Sequence, residues 1–143
     1  MGSIFDKECL GFYDRRKMAS VEELGKELRG ENESEKEIAV YRVDGCLIQQ
    51  NQCCDYLLLI IEDKCAYFIE LKGSHIEKAI KQLNASIDKF YPKLSTYKIN
   101  AWIISSKART PALRSSHMIK LKQRLKKLKG SLHIETRRAF FRV

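Results

Sequence analysis

The chain has 143 residues, 44% hydrophobic and 31% charged, a balance that belongs to one folded domain and excludes a disordered polymer. Its longest unbroken apolar run, residues 56–61, is far short of the roughly 20 residues that span a bilayer. Charge is uneven: residues 1–72 hold 10 Lys and Arg against 15 Asp and Glu, whereas residues 73–143 hold 17 against 3.

A half this basic calls for a polyanion, either nucleic acid or an anionic membrane surface. The early charges Asp6, Lys7 and Glu8 leave no apolar signal core, so a cytoplasmic protein is expected. Cys9, Cys46, Cys53, Cys54 and Cys65 are odd in number and form no Cys-x-x-Cys pair. Free thiols in a reducing compartment are therefore expected, and a zinc site is not.

In chain order, residues 19–30 carry Val21, Leu24 and Leu28 at helical spacing, with Ser20 and Glu23 as a capping box and Gly30 as a stop. That pattern predicts a first helix. Residues 31–37 are dense in acid and predict a loop. Residues 38–48 predict a strand with a kink at Gly45, and residues 49–52 a polar loop. Residues 55–61 and 65–71 are apolar runs separated by Glu62-Asp63-Lys64, which predicts a buried hairpin.

Ser74 and Glu77 form a second capping box, ahead of a helix with Ile76, Ala79, Ile80, Leu83, Ile87 and Phe90 on one face. Residues 99–104 predict another buried strand. Pro111 suits the first turn of a helix that runs to about Lys129 and stops at Gly130. Residues 132–143 allow a final strand. The order predicts one α/β domain over residues 1–143, a central mixed β-sheet flanked by helices, with a core of about 20–106 and a basic extension over 107–143.

Asp55 opens one strand of the hairpin, and Glu70-Leu71-Lys72 closes the other. In an antiparallel pair the start of one strand lies beside the end of the next, so Asp55 and Glu70 should meet. Glu70 and Lys72 are two apart and share a face, while Leu71 points into the core. Two such carboxylates can hold Mg²⁺, which takes oxygen ligands, polarises a phosphodiester and acidifies a bound water. A lysine beside that water can orient it and balance developing charge. Glu62-Asp63-Lys64 repeats the pattern in a polar turn, where it reads as solvated charge.

The stretch Cys54-Asp55, Glu70-Leu71-Lys72 and Gln82, within an α-β-β-β-α-β order, resembles the PD-(D/E)XK, or restriction-endonuclease-like, nuclease superfamily. The resemblance covers roughly residues 20–106. It implies metal binding by Asp55, Glu70 and the Leu71 carbonyl, with Mg²⁺ and with Mn²⁺ as a substitute. It also implies a water-directing role for Lys72 and a site role for Gln82. Cys54 stands where the family often has Pro. Ser86 stands where some branches have Tyr. Many members draw another acid from the first helix, for which Glu23 and Glu27 are candidates.

Residues 105–134 contain no acid and hold Lys107, Arg109, Arg114, Lys120, Lys122, Arg124, Lys126, Lys127 and Lys129. Met118, Leu121, Leu125 and Leu128 form an apolar stripe, leaving the other faces basic. Such a surface contacts phosphates without reading sequence. The stripe has no aromatic anchor for a membrane, and nucleic acid, DNA before RNA, is the expected partner. The expected activity is metal-dependent DNA hydrolysis, by a homodimer or within a larger complex. The alternatives are an inactive nucleic-acid-binding module and a protein-interaction domain on the same fold.

Overall fold

The computed structural model describes residues 4–71, 75–106 and 115–143. A six-stranded mixed sheet forms the centre, built from β1 (Leu10–Asp14), β4 (Ile38–Arg42), β5 (Tyr56–Ile60), β6 (Cys65–Glu70), β7 (Lys98–Ser105) and β8 (Leu132–Thr136), in that spatial order. β1, β4, β5 and β6 pair antiparallel in turn, and β6, β7 and β8 run parallel. The parallel steps need crossovers, supplied by α1 (Ile76–Phe90) and α2 (Ser116–Lys127).

Both helices cover one face of this sheet. Leu57, Leu59, Ala66 and Phe68 point there and pack with Ala79, Ile80, Leu83 and Ile87 of α1 and Met118, Leu121 and Leu125 of α2. The other face, which carries Leu58, Ile60, Ile69 and Trp102, is covered by β2 (Met18–Glu23), β3 (Lys26–Glu31) and β9 (Arg138–Arg142). Among the described residues, both helices thus lie on one face of the sheet, and strands cover the other. No helix among the described residues is long and apolar enough to cross a membrane.

The β5–β6 hairpin, the helix after it and the next strand stand as the sequence predicts. The first helix does not. Residues 19–30 form the β2–β3 hairpin, turning at Leu24 (φ 49°) and Gly25 (φ 77°). A two-residue turn with both φ values positive matches the twist of paired strands. Ala19, Val21 and Leu28 are buried against the central sheet, while Leu24 is 76% exposed at the tip. Ser20 lies opposite Arg29 and caps nothing. Gly30 is a strand residue, where an added Cβ would meet the Phe141 ring at 2.9 Å.

Other boundaries shift for local reasons. The strand expected over 38–48 ends at Arg42, and Gly45 (φ 80°) belongs to a turn. β1 was not foreseen and adds to the sheet edge beside β4. Ser74 and Pro111 lie outside the described residues. The position before α1 is His75, which makes no side-chain cap, whereas Ser115 Oγ accepts from Met118 N at 3.2 Å and caps α2. After α2 the left-handed residue is Lys129 (φ 65°). Gly130 is needed for space instead, because a Cβ there would fall 1.8 Å from the Ile99 carbonyl oxygen.

The final segment is two strands. Arg137 (φ 64°) breaks it, and the chain leaves β8 in the large sheet for β9 in the small one. Cys9 and Cys46 are joined in a disulfide, which corrects the expectation that all cysteines are free thiols. The bond ties the start of β1 to the β4–β5 connection. Cys53, Cys54 and Cys65 are free, the first two buried.

Candidate active site

The β5–β6 pairing ends at Tyr56 with Ile69, and Asp55 and Glu70 flank that last pair at the open end of the hairpin. Side chains alternate along a strand. Asp55 therefore shares the helix-facing side with Leu57 and Leu59, and Glu70 shares it with Ala66 and Phe68. The backbone of Asp55 is held from both neighbours: its N–H donates to Ile69 O at 3.0 Å, and its carbonyl accepts from Val43 N at 2.9 Å.

Asp55 is 3% and Glu70 1% exposed, burial that carboxylates tolerate only with strong partners. Asp55 Oδ2 accepts from Leu71 N at 2.7 Å. Leu71 itself is fully buried in the opposite cluster, as its parity requires. In the amide orientation that satisfies both its ends, half-buried Gln82 donates to Glu70 Oε2 at 2.8 Å and to Lys78 O at 3.3 Å. Gln82 thus lies against Glu70. One turn on, Ser86 Oγ accepts from Cys54 N at 2.8 Å and anchors the approach to Asp55. The residue that departs from the family pattern is a backbone support here.

Two buried cysteines, Cys53 and Cys54, precede Asp55. Burial pushes the Cys53 thiol up to about 11, and Asp44 adds to this by its charge and by a contact of 3.7 Å from Cys53 Sγ. Burial likewise raises Cys54, with Glu70 and Asp55 contributing negative charge. Both thiols stay protonated near neutral pH.

The candidate acids of the first helix do not join the pair. Glu23 Oε1 accepts from Tyr56 OH at 3.0 Å, on the opposite face of the sheet. Burial, with that bond next, pushes Tyr56 up to about 12. Glu27 pairs with Arg29 at 3.0 Å. In the second Glu-x-Lys, Glu62 contacts Arg15 and Asp63 contacts Lys36, both near the surface, which agrees with solvated hairpin charge.

Lys72, Lys107, Arg109 and Arg114 lie outside the described residues. Lys120, Lys122, Lys126, Lys127 and Lys129 are exposed. Arg124 is committed elsewhere: it donates to Asn84 Oδ1 at 2.7 Å and to Asp88, clamping α2 to α1. The basic helix also extends away from the carboxylates. Lys127 and Lys129 line a cleft with Lys98 and Tyr97 at the start of β7, while Glu70 pairs with Ile103 near its end. At about 3.3 Å per residue, the two ends are roughly 17 Å apart.

Among the described residues, no three His, Cys, Asp or Glu side chains group as a metal site. Asp55 and Glu70 stand as a pair. No family model, curated protein or solved structure matches this chain, so the reading of the site rests on its own residues.

Proposed function

We propose that the chain is a divalent-metal-dependent nuclease that hydrolyses DNA phosphodiester bonds, on the pattern of the PD-(D/E)XK superfamily. The observation that carries this is the burial of Asp55 and Glu70 at the open end of one hairpin, with Leu71 N bonded to Asp55 and Gln82 bonded to Glu70. Two like charges so placed disfavour each other, and a shared cation reverses that cost. The donors are all oxygen, from Asp55, Glu70 and the Leu71 carbonyl, which suits Mg²⁺ or Mn²⁺ better than a soft metal. When bound, the cation would polarise the phosphodiester and acidify water.

The chain's own residues supply the rest. Gln82 fixes the Glu70 carboxylate, and Leu71 N fixes that of Asp55. Lys72 follows Glu70 by two residues, and in this reading it holds the attacking water in line. Water oxygen bonds to phosphorus as it gives up a proton to solvent, one ester P–O bond breaks, and the departing alkoxide takes up a proton. The exposed lysines of α2 would carry the DNA backbone away from the site. A homodimer or a larger complex would present two strands.

The test is cleavage of labelled linear, nicked, single-stranded and four-way-junction DNA in Mg²⁺ or Mn²⁺. Wild type should cut, and Glu70→Ala and Lys72→Ala should lose about 10²–10⁴-fold while remaining folded. Folded wild-type protein that cuts nothing with either metal would sink the reading. Retained DNA binding in that case would favour an inactive binding module.

A further inference from the structure

β8 closes one side of the central sheet, and among the described residues no strand pairs with its outer edge. The opposite edge strand, β1, carries a register shift between Leu10 and Phe12, the kind of irregularity that blunts an edge against further pairing. β8 pairs with β7 in unbroken register from Leu132 to Thr136. It therefore turns a regular row of backbone donors and acceptors outwards.

Two hydrogen bonds tell which residues present that row. Ser131 O accepts from Ala101 N at 3.0 Å, and Arg137 N donates to Ser105 O at 2.9 Å. The backbone groups of residues 131 and 137 thus face β7, and alternation gives residues 133 and 135 the same direction. Those of Leu132, Ile134 and Thr136 face away from the sheet. A strand added at this edge must pair on these three residues.

The side chains select the added strand. Leu132 and Ile134 are half-buried against the helix-side core. His133 stacks on Trp102 on the other face, with ring centroids 4.6 Å apart, and Glu135 shares that face by parity. In an antiparallel pairing with a second copy about Ile134, Ile134 meets Ile134 and Leu132 meets Thr136, all as hydrogen-bonded pairs. His133 then meets Glu135 of the other strand, twice over, at the non-hydrogen-bonded positions where side chains lie closer. An imidazole opposite a carboxylate is a favourable cross-strand pair, and twofold symmetry doubles it. A centre at His133 would oppose two imidazoles, and a centre at Glu135 two carboxylates.

We propose that this chain forms a twofold dimer by antiparallel pairing of β8 with β8 of a second copy, centred on Ile134, which joins the two central sheets into one. The interface does not rest on the nuclease reading.

The experiment is sedimentation equilibrium of the full chain from about 1 μM to about 1 mM. Wild type should approach twice the chain mass of 16.6 kDa. Ile134→Pro removes an outward N–H while sparing the β7–β8 ladder, and should weaken the dimer about tenfold or more. Glu135→Lys, at an exposed position, sets an ammonium opposite His133 and should weaken it about tenfold. Adding His133→Glu to Glu135→Lys should restore the dimer, because each pair is again of opposite charge. Circular dichroism checks the fold of every variant, and the exposed charge variants decide the matter if Ile134→Pro does not fold. A wild type that stays monomeric, a dimer that folded Ile134→Pro leaves intact, or a Glu135→Lys loss that His133→Glu does not reverse would overturn the proposal. A dimer with this pattern in a protein that cuts no DNA leaves the interface standing and overturns the nuclease reading alone.

Discussion

The two faces of the central sheet bury similar aliphatic side chains but treat their polar groups differently. On the helix side, Asp55 and Glu70 sit at the strand ends under Gln82 and Ser86. On the other side, Tyr56 is next to Asp55 in sequence yet points away, and its hydroxyl donates to Glu23 of the β2–β3 hairpin. A neutral hydroxyl bonded to one acid closes that face. Two buried carboxylates under a helix are what the proposed cation site would use. Strand alternation alone assigns adjacent residues to these different tasks.

The sharpest way to break this contrast is to neutralise one acid on each face. Glu70→Gln keeps the shape of the side chain and should lower DNA cleavage by about a hundredfold or more, on the scale of a lost catalytic group. Glu23→Gln should leave cleavage within about twofold, since a surface-side change away from such groups is small. Parallel rate measurements decide it, and equal losses would end the distinction between the faces.

Next in size are the two cores. Leu83→Ala on the helix side and Leu28→Ala on the hairpin side each remove a fully buried side chain. Each should cost about 2–5 kcal/mol in urea unfolding. A negligible cost for Leu28→Ala would mean that the second sheet is only a loose cover.

Ser86→Ala comes third. It leaves the buried Cys54 N–H without its acceptor, at a cost of about 1–3 kcal/mol. Cleavage should fall with it, because the same bond holds the approach to Asp55. A stability loss with full activity would restrict Ser86 to packing.

The smallest effect is at high pH. The Cys53 thiol is raised from its ordinary 9.0 to about 11, chiefly by burial. The unfolded chain therefore releases this proton first, and the associated stability, intact below pH 9, declines as pH rises toward 11. Denaturation midpoints across that range should fall less steeply in Cys53→Ala. An identical slope would exclude Cys53 from the decline.

Much of the helix side was legible. The β5–β6 hairpin showed as two apolar runs around charged Glu62-Asp63-Lys64, which put Asp55 and Glu70 at its open end. Gln82 could be placed on the flank of α1, but whether it reached Glu70 depended on how closely α1 lies on β6. The hairpin side was hidden, because Val21, Leu24 and Leu28 fit a helical face as well as they fit strands. Buried Val21 and Leu28 with exposed Leu24 is the strand outcome.

By itself, then, the sequence determined the elements whose signals are local: the continuous apolar runs of β5, β6 and β7, the amphipathic period of α1, and the parity that puts Glu70 on one face and Leu71 on the other. Tertiary structure decided what depends on partners distant in the chain. β2 and β3 became strands because the open face of Leu58, Ile60 and Trp102 needed a cover, which β9 completes by pairing with β3. Cys9 met Cys46 because β1 lies beside β4. Arg124 became a clamp because α1 and α2 share a face. In each case the deciding term is burial or pairing between residues far apart in sequence, which no local window contains.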